Sequence, residues 1–372
     1  MTLGTPRARL VGARLRLPLV LLHVVLLVAA VLAGLQRMGW SVSWPPAAFA
    51  AYHGPLMTVM FFGGLIALER AVALGRLPLY AAPVLLGSAG IVWLLGAPLG
   101  VVQALAVLGA AVFAVVAWVM VQHHRALYTE TMGLGIVAFA IGTALWAWGH
   151  PLSRVIWWWV AFFVLTIAGE RLELGRLTGA AQRYGHLFRG GLVLTLVGLL
   201  LAEVWPPGGV RLYALGTLAL GLWLLKYDIA RFTIRQPGLP RFAAACLLSG
   251  YFWLILGAAV IVVAGFVQGG LLYDAALHAV MLGFVFAMVF GHAPIIFPAL
   301  LGLPIRFHPA LYLPLAVLHL SLLMRFVADL LHSPLGRRWG GMFNAISIAL
   351  YFGIMVVVRV VDMLRGRPTQ AA

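Results

Sequence analysis

Residues 277–298 read LHAVMLGFVFAMVFGHAPIIFP. The run is apolar almost throughout and long enough to cross a hydrocarbon core of about 30 Å, which needs about 20 apolar residues. It nonetheless carries two histidines, His278 and His292. In water such a helix would be buried on every side; here the rest of the chain makes lipid the surrounding solvent. Of the 372 residues, 64% are hydrophobic and 9% charged, and the mean hydropathy is +1.06. Soluble domains carry about 25% charged residues, so this chain lacks the polar surface to face water.

Working outward, comparable runs recur along the whole length. Spans are expected at residues 17–37, 47–69, 79–95, 98–121, 132–149, 155–170, 188–204, 210–226, 242–266, 272–293, 309–331 and 341–360. Short connections rich in Pro and Gly separate them, such as Trp44-Pro45-Pro46 and Trp205-Pro206-Pro207-Gly208-Gly209. The expectation is an all-α polytopic membrane protein, a single twelve-helix domain over 1–372 with no separate soluble domain. A transmembrane β-barrel is excluded, since it needs alternating segments of about ten residues. Arg7, Arg9, Arg14 and Arg16 precede the first apolar run in the manner of a signal sequence, read here as an uncleaved first helix.

The formal net charge of +16 does not indicate nucleic acid, because the basic residues form no stripe beside aromatics. Counted on alternate connections, one side holds 19 Lys and Arg and the other 5. That asymmetry places the N- and C-termini in the cytoplasm. The single Cys246 precludes an intrachain disulfide framework and a thiolate metal cluster.

Ionisable groups within spans are costly and mark functional candidates. His123, His124 and His186 fall in connections on one side, and His150 and His332 at span ends on the other. His23 reads as a packing residue. His53 and His278 each lie about six residues into spans that run in the same direction, hence roughly 9 Å below the same boundary. Two neutral imidazoles at matched depth can ligate a haem iron or a copper ion. His319 sits near mid-membrane. On an ideal α-helix His278 and His292 lie some 40° apart in rotation and roughly 21 Å apart along the axis, so His292 is a further metal-ligand candidate. Pro294 should kink or end that helix near it. Met57 and Met281 follow the two histidines, and Gly63, Gly64 and Gly283 leave room for a macrocycle or a neighbouring helix. Arg325 requires a partner, with Asp329 one turn away or a haem propionate as the alternatives.

One sequence echo joins two spans. Leu68-Glu69-Arg70 before Leu74-Gly75-Arg76-Leu77 recurs as Glu170-Arg171 before Leu174-Gly175-Arg176-Leu177. A duplicated helix group and the ordinary chemistry of a helix end at the membrane surface both account for it.

Tyr52-His53-Gly54-Pro55-Leu56-Met57 resembles the start of the second helix in NnrS-type haem–copper membrane proteins. Leu277-His278-Ala279-Val280-Met281-Leu282-Gly283-Phe284, with Met288 and Gly291, is similar to their later H-x-x-x-x-G helix, and Leu322-Leu323-Met324-Arg325 to the Leu-Leu-Arg that follows. Gly54 and Pro55 stand where that pattern has a second His and an acidic residue. The resemblance implies a haem-binding, copper-associated inner-membrane protein tied to nitric oxide or denitrification stress. It makes His53, His278, His319 and Arg325 cofactor-binding candidates. A likeness to haem–copper oxidase subunit I is at the level of fold alone. The competing expectation is a small-molecule or ion transporter with a His- and Arg-lined path, in which paired repeats and broken helices are common. No catalytic residue set is legible.

Overall fold

The computed structural model describes the backbone of residues 6–302 and 306–365, and the side chains of those residues apart from 6–11, 13–15 and 299. Arg7, Arg9, Arg14 and Arg367, counted above among the basic residues of one side, have side chains outside the described set.

Twelve helices long and apolar enough to cross a membrane follow one another. They are α1 (Pro6–Arg37), α2 (Ala47–Leu74), α3 (Leu77–Leu94), α4 (Leu99–His123), α5 (Leu127–Ala147), α6 (Leu152–Thr178), α7 (Ala180–Val204), α8 (Pro206–Tyr227), α9 (Leu239–Ala264), α10 (Leu271–Pro298), α11 (Pro309–Leu330) and α12 (Pro334–Leu364). The all-α polytopic expectation holds, and each expected span overlaps one of these helices. Alternate crossing directions define a near face, where α1 begins, and a far face, where it ends.

Three helices form the interior. In α2, α6 and α10 the apolar window is 67%, 83% and 72% buried, against 33–56% in the other nine. A helix apolar all round belongs inside a bundle, and these three meet at mid-length through aromatic edges. The Phe62 ring lies 5.2 Å from Phe163 and 5.2 Å from Phe286, both edge-on. Around them the outer helices pack as sequential neighbours, α5 on α6, α7 on α8 and α11 on α12. The α7–α8 pair is backbone on backbone: a Cβ at Gly198 would lie 2.1 Å from the Tyr213 nitrogen, and one at Gly216 2.3 Å from that of Thr195. Close approach through small residues is how helices gain contact when lipid removes the hydrophobic drive between them.

Two of the inner helices are not uniform. α2 is π-helical over Leu56–Gly63, and α10 over Ala279–Phe286, each stretch opening within three residues of a histidine. A glycine in each receives an aromatic from a neighbour. A Cβ at Gly63 would lie 2.5 Å from Phe139 Cζ, and one at Gly283 2.3 Å from Trp253 Cγ. Gly64 likewise faces His23. These glycines thus seat side chains of α5, α9 and α1 rather than a macrocycle. His23 is fully buried with its Nδ1 2.7 Å from the Leu19 carbonyl, a packing residue as expected.

Pro294 does not end the helix: the segment Ala287–Leu301, which runs three residues past the span of α10, is helical with Pro294 and Pro298 inside it. The proline removes the donor that Phe290 O would otherwise have. Tyr351 on α12 replaces it: its hydroxyl donates to Phe290 O at 2.6 Å, with the two rings stacked at 4.0 Å. Tertiary packing has absorbed the break.

Candidate functional site

Between the far-face ends of α1, α2, α6, α10, α11 and α12 lies a cavity of about 360 Å³, within the range of about 300–1,000 Å³ usual for small-molecule sites. Its walls include Met57, Ile156, Trp159, Met281, Phe286 and Ile348, and its polar groups include Arg37, His53, Asp274, His278, Arg325 and Arg337. His53 and His278, matched by depth in the sequence, therefore face one space.

Both rings are held by one nitrogen. His53 Nδ1 is 2.6 Å from the Ala30 carbonyl on α1, and His278 Nδ1 is 2.9 Å from the carbonyl of Asp274, one turn earlier in its own helix. A carbonyl can only accept, so each Nδ1 carries the proton and each Nε2 keeps its lone pair. Neither Nε2 has a hydrogen-bond partner among the described residues. Gly34 makes the first contact feasible: a Cβ there would lie 2.9 Å from His53 Cε1, so any larger residue displaces the ring.

Asp274 is the residue that sequence reading missed. Its two carboxylate oxygens each accept from Arg325, from Nε and Nη2, at 2.9 Å. Arg337 approaches it at 3.7 Å, and its carboxylate lies 3.4 Å from His278 Nδ1. Arg325 is thus paired across helices with Asp274, not along its own helix with Asp329. Asp329 forms an ion pair with Arg337 instead. Close helix contact sets this geometry: a Cβ at Gly340 on α12 would lie 2.8 Å from Arg325 Cβ, so α12 presses the arginine toward α10. The i,i+4 spacing of Asp274 and His278 was the available signal, since a carboxylate one turn before a histidine can orient its ring.

The other candidates lie elsewhere. His292 bonds the Met288 carbonyl at 2.8 Å and is absent from the cavity lining. The shared face calculated for it assumed a uniform α-helix, and the π stretch between the two histidines changes that register. His319 accepts from Trp253 Nε1 at 3.0 Å through its Nδ1, and does not line the cavity either. Among the described residues no three His, Cys, Asp or Glu side chains converge as a metal-binding group. The chain's own imidazole donors at this cavity are therefore His53 and His278.

The echoed Glu-Arg segments meet at the near-face end of the same inner helices. Arg70 pairs with Glu170. Arg171 grips Asp228 through two hydrogen bonds of 2.7 and 2.9 Å, and Asp228 also accepts from Tyr251 Oη and the Ala230 amide at 3.0 and 2.6 Å.

Residues 16–360, all twelve spans in essence, match the family model described as Domain of unknown function (DUF8744). The chain belongs to that family. No curated protein and no solved structure matches it.

Proposed function

We propose that this protein is a haem-binding integral membrane protein, with His53 and His278 as the ligands that hold the group in the far-face cavity. One observation carries the reading: two half-buried imidazoles on different helices, each held through Nδ1 and with Nε2 unpaired among the described residues, line one largely apolar cavity. The donor set fits. A haem carries most of its iron's donors with it and would take imidazole from the protein, which suits a cavity whose described lining offers His53 and His278. Arg37 supplies a guanidinium group for a haem carboxylate, with Arg325 and Arg337 adding positive charge from their pairs with Asp274 and Asp329, and Met57 and Met281 add soft sulfur to the lining. Copper is the alternative metal, since imidazole and thioether both suit it.

The residues divide the work. The Ala30 and Asp274 carbonyls fix the imidazole tautomers. The Asp274 carboxylate, anchored by Arg325 and 3.4 Å from His278 Nδ1, helps to fix that ring. The Trp159, Phe286 and Ile348 walls keep water from the buried group. A metal centre held by both imidazoles would supply one-electron exchange, and it would take a small diatomic ligand only where one imidazole gives way. The NnrS-type resemblance names nitric oxide as that ligand and a bacterial cytoplasmic membrane as the location.

The test is the absorption spectrum of the full chain, purified after expression with haem supplied, together with metal analysis. A Soret band lost in His53→Ala and in His278→Ala, and retained in His292→Ala, is the expected result. A colourless, metal-free wild-type protein overturns the reading. It would favour a transporter, for which the supporting observation is the arginine-bearing cavity lined at depth by Phe286, where Phe62 and Phe163 also meet. Uptake of an anionic solute into proteoliposomes, lost in Arg37→Gln, would then be the result to seek.

A further inference from the structure

Most carboxylates of this chain are held by an arginine: Glu130 by Arg125, Glu170 by Arg70, Glu203 by Arg154, Asp228 by Arg171, Asp274 by Arg325 and Asp329 by Arg337. Arg176 and Arg189 stand apart from this pattern. Both line a cavity of about 290 Å³ at the near face, where α5 begins, α6 ends and α7 begins. Tyr128, Gln182, Gly185 and His186 line it with them, and no carboxylate does. Glu130, the acidic residue close in sequence to Tyr128, is turned to Arg125 at 3.4 Å.

Arg176, Gln182, His186 and Arg189 are exposed at the rim, and Tyr128 fixes the first of them. Arg176 Nη1 donates to Tyr128 Oη at 3.1 Å, and its guanidinium carbon lies 5.6 Å from the centre of that ring. The contact orients the guanidinium and leaves its other N–H groups free. Gly185 belongs to the lining, and a Cβ added to it would meet nothing within 4 Å, so the space above it is open. Two guanidinium forks with an amide, an imidazole and a phenol form a donor-rich set. Planar guanidinium pairs match the oxygens of phosphate. The pocket also sits at helix ends facing the interface, where basic clefts between spans take phosphorylated headgroups.

We infer that this cavity binds a phosphate group, presented either by an anionic lipid headgroup or by a free phosphoanion. It is separate from the histidine cavity, which opens at the opposite end of the bundle.

The test uses the full chain in detergent, probed by native mass spectrometry with phosphatidylglycerol, phosphatidylcholine and inorganic phosphate. Phosphatidylglycerol should be retained over phosphatidylcholine, and its retention should fall about thirtyfold in Arg176→Gln/Arg189→Gln, the effect of removing two interfacial cations. Gly185→Leu should lower retention similarly by filling the pocket with every charge in place, and it decides the matter if the double variant fails to fold. Displacement of the lipid by inorganic phosphate identifies a pocket open to free phosphoanions. Retention that resists phosphate, yet falls in both variants, identifies a headgroup site. Equal retention of the two lipids, or of phosphatidylglycerol by wild type and Gly185→Leu, overturns the inference.

Discussion

The two ends of the inner helices α2, α6 and α10 make a direct contrast. At the near face the principal charges are paired with one another: Arg70 meets Glu170, and Asp228 accepts from Arg171, Tyr251 and a backbone amide. At the far face the charges are paired too, but two imidazole nitrogens and Arg37 remain turned into a cavity. Buried polar groups are normally satisfied inside the protein, and in lipid there is no water to substitute. Charges clasped away from any cavity at one end speak for structure, and imidazoles bordering a cavity at the other for a ligand.

The largest effect that could break this contrast is at the near face. Arg171→Ala leaves Asp228 buried without its cation and should destabilise the protein by about 3–5 kcal/mol, read as loss of folded material in thermal unfolding followed by gel filtration. Arg325→Ala should cost about 3 kcal/mol, the low end of that range, because Arg337 remains 3.7 Å from Asp274. It should also weaken retention of haem in the same preparation. If Arg325→Ala proved the costlier of the two, the far-face charges would have to be read as the more structural set. Smaller again is Tyr351→Phe, which strands the Phe290 carbonyl while keeping the ring stack. An unpaired buried acceptor costs about 1–3 kcal/mol, measurable as a lowered unfolding midpoint. Least disruptive to folding is His53→Ala, which gives up one bond to the Ala30 carbonyl, worth about 1 kcal/mol. Its expected signature is lost colour in a protein that still folds; retained colour would remove His53 from the ligand set.

How much of this was legible beforehand differs from residue to residue. His53 and His278 could be paired from the sequence because depth in a membrane is a count along one axis, at 1.5 Å per residue. The partner of Arg325 could not. Asp329 was the neighbour on its own helix, but rotation and close packing of α12 turned the guanidinium toward Asp274 on α10. His292 shared a face with His278 only while α10 was taken as uniformly α-helical, and the π stretch at Ala279–Phe286 has no evident marker in its residues. Pro294 carried a strong local signal for a break, which a hydroxyl 57 residues further along the chain, that of Tyr351, made good.

By itself, then, the sequence determined the all-α class, the number of apolar spans and their approximate positions along the chain. These follow from hydropathy and length, which are properties of the chain taken one segment at a time. Only the tertiary structure decided which three helices lie inside, which carboxylate each arginine meets, and that His53 and His278 share one cavity while His292 and His319 do not. Those outcomes depend on how each helix is rotated about its axis against neighbours distant in sequence. In a bundle apolar on nearly every side, no hydrophobic stripe specifies that rotation in advance.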